Sequence, residues 1–222
     1  MNDKSRKPAA DSLPPAIRRL RLIRNAAFAL VALVAVLMLG VYIGQRGQQT
    51  ATAPSGETKT AVKIGGPFQL TDHTGKAVTE ADFRGRSMLI FFGYTYCPDV
   101  CPTTLYEVAR AMNALGDKAA AVTPVFISVD PERDTPARLK DYVANFHPSI
   151  VGLTGTPDQI KQVAKEYRVY YAKVPDKAGD PNAYLMDHSS VIYLMGPDGA
   201  FKAHFSHDTP GDAMAAKLKT LL

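Results

Sequence analysis

The two cysteines of the chain lie together in one short segment, Tyr96-Cys97-Pro98-Asp99-Val100-Cys101-Pro102. We predict a helix that starts near Pro102, so that side chains four residues apart at its N-terminus project to the same side. The partial positive charge of a helix N-terminus lowers the pKa of a thiol, and thiolate is the form that binds soft metals or attacks disulfides. The segment therefore indicates metal or redox chemistry.

Three interpretations of this cysteine pair compete. A structural disulfide would stabilise little, because it would close a loop of only about five residues. Thiol-disulfide oxidoreductases place two residues between their cysteines, whereas three separate Cys97 from Cys101. A metal site is the third interpretation, since two thiolates favour Cu(I) or Zn(II), and an added imidazole suits both Cu(II) and zinc. Spacing alone does not decide between the last two.

The elements that must position the cysteines are indicated by hydrophobic patterning. A continuous apolar run at Ser87–Gly93 predicts a buried strand that leads directly into the cysteine segment. Further strands and helices alternate along the chain, which predicts an α/β domain with a mixed sheet and helices on both faces. These further elements are strands at residues 67–75, 122–129, 150–153, 190–195 and 200–206, helices at 102–115, 135–146, 157–167 and 210–222, and a hairpin over 167–184.

His188 is the best candidate for a third ligand among the five histidines. In a thioredoxin-like sheet, the predicted strand 190–195 would neighbour the strand that feeds the cysteines, so the loop before it would face the thiols. Thioredoxin-type oxidoreductases carry a cis-proline in this loop, but residues 182–196 contain no proline. This difference favours a metal site. The alternatives are a histidine hydrogen-bonded at a strand end, or a weak second site formed by His204 and His207.

Three segments, FFGYTYCPDVCP, FISVDPERDTP and MDHSSVIYLMGPDG, follow one another with a spacing that resembles the Sco/SenC family of copper-binding assembly factors for cytochrome c oxidase. The likeness covers about residues 62–222. It implies a thioredoxin-like domain that holds one copper ion per chain, as Cu(I) or Cu(II), through Cys97, Cys101 and His188. It also implies that Cys97 and Cys101 can form a redox disulfide, and that a single-pass anchor precedes the domain.

The resemblance implies a metallochaperone rather than an enzyme. Its expected partner is subunit II of cytochrome c oxidase, or a related copper oxidase, to whose dinuclear copper centre it would deliver copper. Other copper chaperones are a further expected class of partner. The alternative function is a thiol-disulfide reductase that prepares the cysteines of that subunit through the Cys97–Cys101 pair.

A charged loop, Asp130-Pro131-Glu132-Arg133-Asp134, follows the predicted strand 122–129 at its C-terminal end. In open α/β sheets ligands dock at this edge, so Asp130, Glu132 and Arg133 are candidates for partner contact. The loop could instead form a turn and a helix cap, with Asp134 or Thr135 at the N-cap.

Residues 26–44 form an uncharged, mostly apolar run. Nineteen helical residues span roughly 28 Å, which is close to the thickness of the hydrocarbon core of a bilayer. We therefore predict a transmembrane anchor, with a cleaved signal peptide as the alternative. Residues 1–25 form a basic tail and residues 45–61 a polar, flexible spacer, which leaves residues 62–222 as the copper-binding domain.

Positive charge is concentrated around this run. The whole chain has a net charge of +5, of which residues 1–47 carry +6 and the remaining residues −1. The main domain is therefore nearly neutral and offers no electrostatic basis for nucleic-acid binding. Seven basic residues precede the run and only Arg46 follows it closely, which places the tail in the cytoplasm. We expect a bacterial inner-membrane protein with its domain in the periplasm. The alternative is a mitochondrial inner-membrane protein that faces the intermembrane space.

Overall fold

The computed structural model describes residue 25 and residues 28–30, 32–40, 63–175 and 184–222. The chain divides into two compact units, Met1–Lys59 and Thr60–Leu222. In the first unit, residues 28–30 and 32–40 are helical. Across the part of the chain that is described, no helix has both the length and the apolar character needed to cross a bilayer. The predicted spacer and all but the last residue of the predicted tail lie outside the described residues.

The second unit is built on a mixed seven-stranded sheet. The strands are β1 (Gln69–Asp72), β2 (Ala77–Thr79), β3 (Ser87–Gly93), β4 (Val122–Ser128), β5 (Val151–Thr154), β6 (Tyr171–Pro175), β7 (Tyr184–His188), β8 (Val191–Met195) and β9 (Phe201–Ser206). The α-helices are α1 (Val100–Leu115), α2 (Pro136–Ala144), α3 (Pro157–Glu166) and α4 (Gly211–Leu221), and two 3-10 helices span Glu80–Phe83 and Gly116–Ala121.

The strand order of the sheet is β2-β1-β5-β4-β3-β8-β9, in which β3 is an inner strand. It pairs in parallel with β4 and antiparallel with β8. Every residue of β3 and of β4 is buried, as their continuous apolar sequences predict. Helix α1 follows β3 and packs against α4, while α2 packs over β5. The cysteine segment is therefore held between a buried central strand and a packed helix.

Strands β6 and β7 form a separate two-stranded sheet rather than a continuation of the main sheet. Their antiparallel register pairs Tyr171 with His188 and Pro175 with Tyr184. The prediction of a hairpin is confirmed, but the second strand continues to His188, further than predicted. His188 is consequently the last residue of a strand, although the sequence placed it in a loop. Residues 176–183, which join the two strands, lie outside the described residues.

Candidate metal centre

Three potential metal ligands converge at the end of β3. Cys97 lies in the loop between β3 and α1, Cys101 is the second residue of α1, and His188 ends β7. Their donor atoms all lie within 4.8 Å of one another, and Cys101 Sγ is 3.5 Å from His188 Nε2. Metal–ligand bonds of about 2.0–2.3 Å would place the donors of a three-coordinate site roughly 3.5–4 Å apart. The three side chains thus fit one metal ion with only small adjustments.

Helix α1 begins at Val100, two residues earlier than predicted, and this start shapes the pair of thiols. The backbone N–H of Cys101 is free at the helix N-terminus and donates to Cys97 Sγ over 3.4 Å. Cys97 remains partly exposed, whereas Cys101 is fully buried, with 0% of its surface accessible. One cysteine of the site is therefore partly accessible to solvent, and the other belongs to the core.

The buried sulfur occupies space that only a glycine leaves open. A Cβ atom added to Gly93, the last residue of β3, would lie 2.7 Å from Cys101 Sγ and 2.7 Å from a ring carbon of Phe126. Such distances are well inside van der Waals contact. Gly93 is therefore required at this position by the sulfur of Cys101 and by the ring beside it.

The two free thiols have opposite acidities. The Cys101 thiol donates a hydrogen bond to Cys97, and this bond lowers the pKa of Cys97 to about 3, with smaller contributions from His188 and from backbone N–H groups. The same bond, together with burial, raises the pKa of Cys101 above its ordinary value. At neutral pH the metal-free site consequently holds a thiolate at Cys97 and a protonated thiol at Cys101.

The imidazole of His188 is oriented for metal binding. Its Nδ1 lies 3.2 Å from the carbonyl oxygen of Ser189, and because a carbonyl only accepts, Nδ1 carries the proton. Nε2 is then the ring nitrogen that faces Cys101, 3.5 Å from its Sγ, and it is the nitrogen that would bind a metal ion. Edge-on contacts with Phe91 and Tyr94, at centroid distances of 6.1 and 6.0 Å, fix the ring plane.

A buried carboxylate anchors the loop that leads to Cys97. Asp134 accepts hydrogen bonds from the backbone N–H of Thr95 at 3.0 Å, from its hydroxyl at 2.6 Å, and from the Ser128 hydroxyl at 2.6 Å. Burial raises the pKa of Asp134. Thr135, rather than Asp134, caps α2, since its side chain accepts from the backbone N–H of Arg138. Sequence reasoning missed this anchor, because a cap and a buried carboxylate look alike in sequence.

The three residues predicted for partner contact differ in their surroundings. Asp130 is only 1% exposed and accepts hydrogen bonds from the Tyr184 hydroxyl at 2.8 Å and from Arg133 Nε at 2.5 Å. Its carboxylate is thus occupied by two internal donors, and its contact with a partner stays a prediction. Glu132 is exposed and pairs with Lys173, and Arg133 is partly exposed. For these two residues partner contact stays a prediction.

The other histidines do not join a comparable group. His204 stacks on Phe201, with ring centroids 6.4 Å apart. In the described ranges, Cys97, Cys101 and His188 form the one cluster of three or more potential metal-ligating side chains. The alternative of a second site at His204 and His207 thus finds no third ligand among these residues.

Comparisons with known proteins agree with this geometry. The model of the SCO1/SenC family matches residues 56–222. The human protein described as SCO1 homolog, mitochondrial, is 43% identical over 159 residues, which cover 71% of this chain and 52% of that protein. The chain thus spans about half the length of this curated relative and of several others.

Solved structures of similar proteins share the domain. The copper-bound ScoI of Bradyrhizobium japonicum is 53% identical, with a TM-score of 0.66, over 72% of this chain and 99% of that one. A protein called BsSco is 27% identical, with a TM-score of 0.54, over 71% of this chain and 92% of that one. It is described as having a disulfide switch and as a member of the Sco family of cytochrome c oxidase assembly proteins.

Proposed function

The chain belongs to the SCO1/SenC family, and from this premise we propose that it is a metallochaperone that carries one copper ion for the assembly of cytochrome c oxidase. The observation that carries the proposal is the convergence of Cys97, Cys101 and His188 within 4.8 Å. Two thiolates provide the soft donors that Cu(I) prefers, and the imidazole adds the nitrogen donor that suits Cu(II). Copper is the cargo of this site rather than a permanent structural ion.

Loading of the site is coupled to proton release. Cys97 is already a thiolate at neutral pH, because its pKa is lowered to about 3 by the hydrogen bond from Cys101. Cys101 is protonated and must lose its proton before its sulfur can bind copper, since thiolate is the ligand. The order of events is therefore capture at the exposed Cys97, followed by deprotonation of the buried Cys101 and closure by His188.

Delivery runs in the opposite direction by ligand exchange. A thiolate of the acceptor reaches copper from the solvent side, where Cys97 is partly exposed, and replaces it as a ligand. Cys101 is fully buried and is the last ligand to release the ion. The site is thus open on one side only, unlike a closed structural metal site.

The acceptor that we propose is subunit II of cytochrome c oxidase, at its dinuclear copper centre. The apolar run at residues 26–44 would anchor the chain in a bacterial inner membrane, with the copper-binding domain in the periplasm. A mitochondrial inner membrane, with the domain in the intermembrane space, is the alternative location. In either membrane, an anchored domain would be confined close to a membrane-embedded oxidase.

A second candidate function is supported by the acidity of Cys97. A partly exposed thiolate beside a second thiol is the arrangement that attacks a disulfide and then resolves the mixed disulfide. The two thiols would be oxidised to a Cys97–Cys101 disulfide, and the two electrons released would reduce a disulfide of the partner to two thiols. This reductase would require the cysteines but no metal.

The copper proposal is tested by reconstitution of the full chain. We expect one copper ion per reduced chain after desalting, and a thiolate-to-copper charge-transfer band with Cu(II). Cys97→Ser and Cys101→Ser should each abolish tight binding, because the hydroxyl is a far poorer ligand for soft copper. A chain that retains no copper would end the proposal and leave the reductase.

His188→Ala separates the two functions. Cu(I) accepts two thiolates in near-linear coordination, so its affinity should fall by less than that of Cu(II), which needs the nitrogen donor. Reduction of a partner disulfide should be retained, because it uses the thiols alone. Equal losses of both copper affinities and of reductase activity would show general damage to the fold and count against the proposed role of His188.

A further inference from the structure

The hairpin that carries His188 lacks strand pairing with the main sheet. Among residues 63–175 and 184–222, its two strands pair only with each other, from Tyr171 opposite His188 to Pro175 opposite Tyr184. The hydrogen-bonded ladder of the main sheet therefore ends short of the histidine, since β8 begins only at Val191. Contacts made by the hairpin then help to set the distance between the third ligand and the two thiols, in addition to the packing of the His188 ring on Phe91 and Tyr94.

Arg133 contacts both halves of the metal centre. Its guanidinium lies over the ring of Tyr184, at the start of β7, with 3.6 Å to the ring centroid. It also lies over the ring of Tyr96, which directly precedes Cys97, at 4.5 Å. A planar guanidinium stacks on an aromatic face in this way, whereas an ammonium, such as that of Lys173 at 4.6 Å from the Tyr184 centroid, interacts with the ring only as a point charge. One side chain thus bridges the histidine hairpin and the cysteine loop.

Hydrogen bonds close this bridge into a ring of contacts. Arg133 Nη1 donates to the carbonyl oxygen of Tyr184 at 3.0 Å, and Nε donates to Asp130 at 2.5 Å. The Tyr184 hydroxyl returns to the same carboxylate at 2.8 Å. Backbone, ring and hydroxyl of Tyr184 are therefore all held by one Arg–Asp pair, which we call the latch (Asp130, Arg133 and Tyr184).

Strand β7 carries the constraint that the latch places on Tyr184 to His188. Side chains alternate in a β-strand, so Tyr184, Met186 and His188 share one face of β7. Met186 is buried on that face. A strand held at Tyr184 and packed at Met186 is constrained in position at His188, two residues further on.

We propose that Arg133 is a positioning residue, which acts through Tyr184 to hold His188 within bonding reach of a copper ion on the two thiols. This inference rests on the proposed copper site. It adds that the latch determines which oxidation state of copper the site prefers. When the latch is closed, the site offers two sulfurs and one nitrogen, which suits Cu(II). When it is open, the site offers two sulfurs, which suffice for Cu(I).

The test compares variants of the full chain in separate Cu(I) and Cu(II) competition titrations. Arg133→Met should lower the Cu(II) affinity by about 10- to 100-fold, the usual effect of removing a residue that orients a ligand. Its Cu(I) affinity should change by less than about threefold, and its charge-transfer band should move toward that of His188→Ala. Arg133→Lys should not restore the band, because an ammonium does not stack between two rings.

Arg133→Met also leaves the buried Asp130 without its cation, so a second variant guards against loss of folding. Tyr184→Ala keeps the Arg–Asp pair and should reproduce the selective loss of Cu(II) affinity. The matched control is Arg110→Met, the same exchange at an arginine whose exposed ion pair with Asp212, at 2.7 Å, involves no latch residue. It should leave both copper affinities unchanged.

A double-mutant cycle identifies the route of the effect. If Arg133 acts through His188, Arg133→Met should have no further effect on Cu(II) affinity in the His188→Ala background. In the metal-free chain, amides of β7 should exchange faster in Arg133→Met, whereas those of β3 should not. Additive losses, equal losses of Cu(I) and Cu(II), or wild-type copper spectra in both latch variants would overturn the inference. A wild-type chain that binds no copper would instead refute the proposed function, and unchanged β7 exchange would still refute the latch.

Discussion

At the scale of single residues, the hydrogen bond between the two thiols decides how the site reacts. Cys101 donates, so its own pKa rises while that of Cys97 falls to about 3. The partly exposed sulfur of Cys97 is thus a reactive thiolate, and the buried sulfur of Cys101 remains a protonated thiol. Two cysteines of identical chemistry acquire different tasks because one of them lies in the core.

This asymmetry predicts the pH dependence of alkylation in the reduced, metal-free chain. Only thiolate reacts, and with a pKa of about 3 Cys97 remains thiolate throughout the mildly acidic range. Its rate with iodoacetamide should be independent of pH between about 5 and 8, where an ordinary thiol with a pKa of about 8.5 slows roughly tenfold per unit. Mass spectrometry after timed quenching would locate the modification and give the rate.

Two substitutions of Cys101 provide the control for this experiment. Cys101→Ser retains a hydrogen-bond donor and should preserve much of the flat profile, whereas Cys101→Ala removes the donor. In Cys101→Ala the pKa of Cys97 should rise, and its alkylation should slow as the pH falls from 8 to 5. A flat profile in Cys101→Ala would show that the hydrogen bond is not the main cause of the acidity.

Sequence reasoning identified the three candidate ligands because their residue types carry the chemistry. Cys97, Cys101 and His188 are unusual enough that spacing and a resemblance to a known family suffice. The same reasoning did not show that Asp130 is buried, because the identity of a charged residue does not reveal its burial. The sequence also could not predict the opposite acidities of the two thiols, since they depend on burial and on one hydrogen bond between side chains.

At the scale of elements, the junction of β3 and α1 sets the position of the buried sulfur. The strand ends at Gly93, and its missing side chain leaves room for Cys101, which lies one residue inside the helix. The continuous apolar run predicted this strand correctly. Sequence patterning did not predict the small residue at its end as a requirement of the metal site, because the contact joins residues of different elements.

Gly93→Ala should therefore displace the buried sulfur of Cys101 and so disturb the metal site. The new methyl group would lie 2.7 Å from Cys101 Sγ, so the sulfur must move or the strand must bend. We expect the free energy of unfolding to fall by about 1–3 kcal/mol, as for other overpacked cores, together with a shifted charge-transfer band and weaker binding of both copper ions. Chemical denaturation and copper titrations of the same preparation would measure these effects.

The control is Gly75→Ala in the turn between β1 and β2. Gly75 has a φ of 89°, and an added Cβ would meet no atom within 4 Å. Alanine there costs stability through backbone strain, about 1–2 kcal/mol, without touching the site. If Gly75→Ala altered copper binding as much as Gly93→Ala, loss of stability alone would explain both variants, and the steric argument would fail.

The hairpin illustrates the limit of prediction at this scale. A strand pattern and a polar turn indicated a hairpin after α3, and the structure has one. Its second strand extends to His188, and its attachment depends on stacking of Arg133 between two tyrosines. No local pattern encodes that contact, because its partners are 37 and 51 residues away from Arg133 in the chain.

At the scale of the whole molecule, charge separates the two parts of the chain. The first 47 residues carry a net charge of +6, and the remaining residues together carry −1. A nearly neutral domain would approach a partner without strong long-range steering, so we expect recognition to depend on short-range contacts. The positive charge instead lies beside the apolar run, where it would act on membrane orientation.

This distribution predicts the topology of the full chain. Seven basic residues precede the run at 26–44 and Arg46 alone follows it closely, so the tail should stay in the cytoplasm and Leu222 should lie across the membrane. A reporter enzyme that is active only outside the cytoplasm, fused after Leu222, should be active. Exchanging Arg18, Arg19, Arg21 and Arg24 for asparagine should lower this activity, because the charge bias that orients the anchor is reduced. Full activity of a reporter that works only in the cytoplasm, at the same fusion point, would reverse the proposed orientation and exclude delivery of copper outside the cytoplasm.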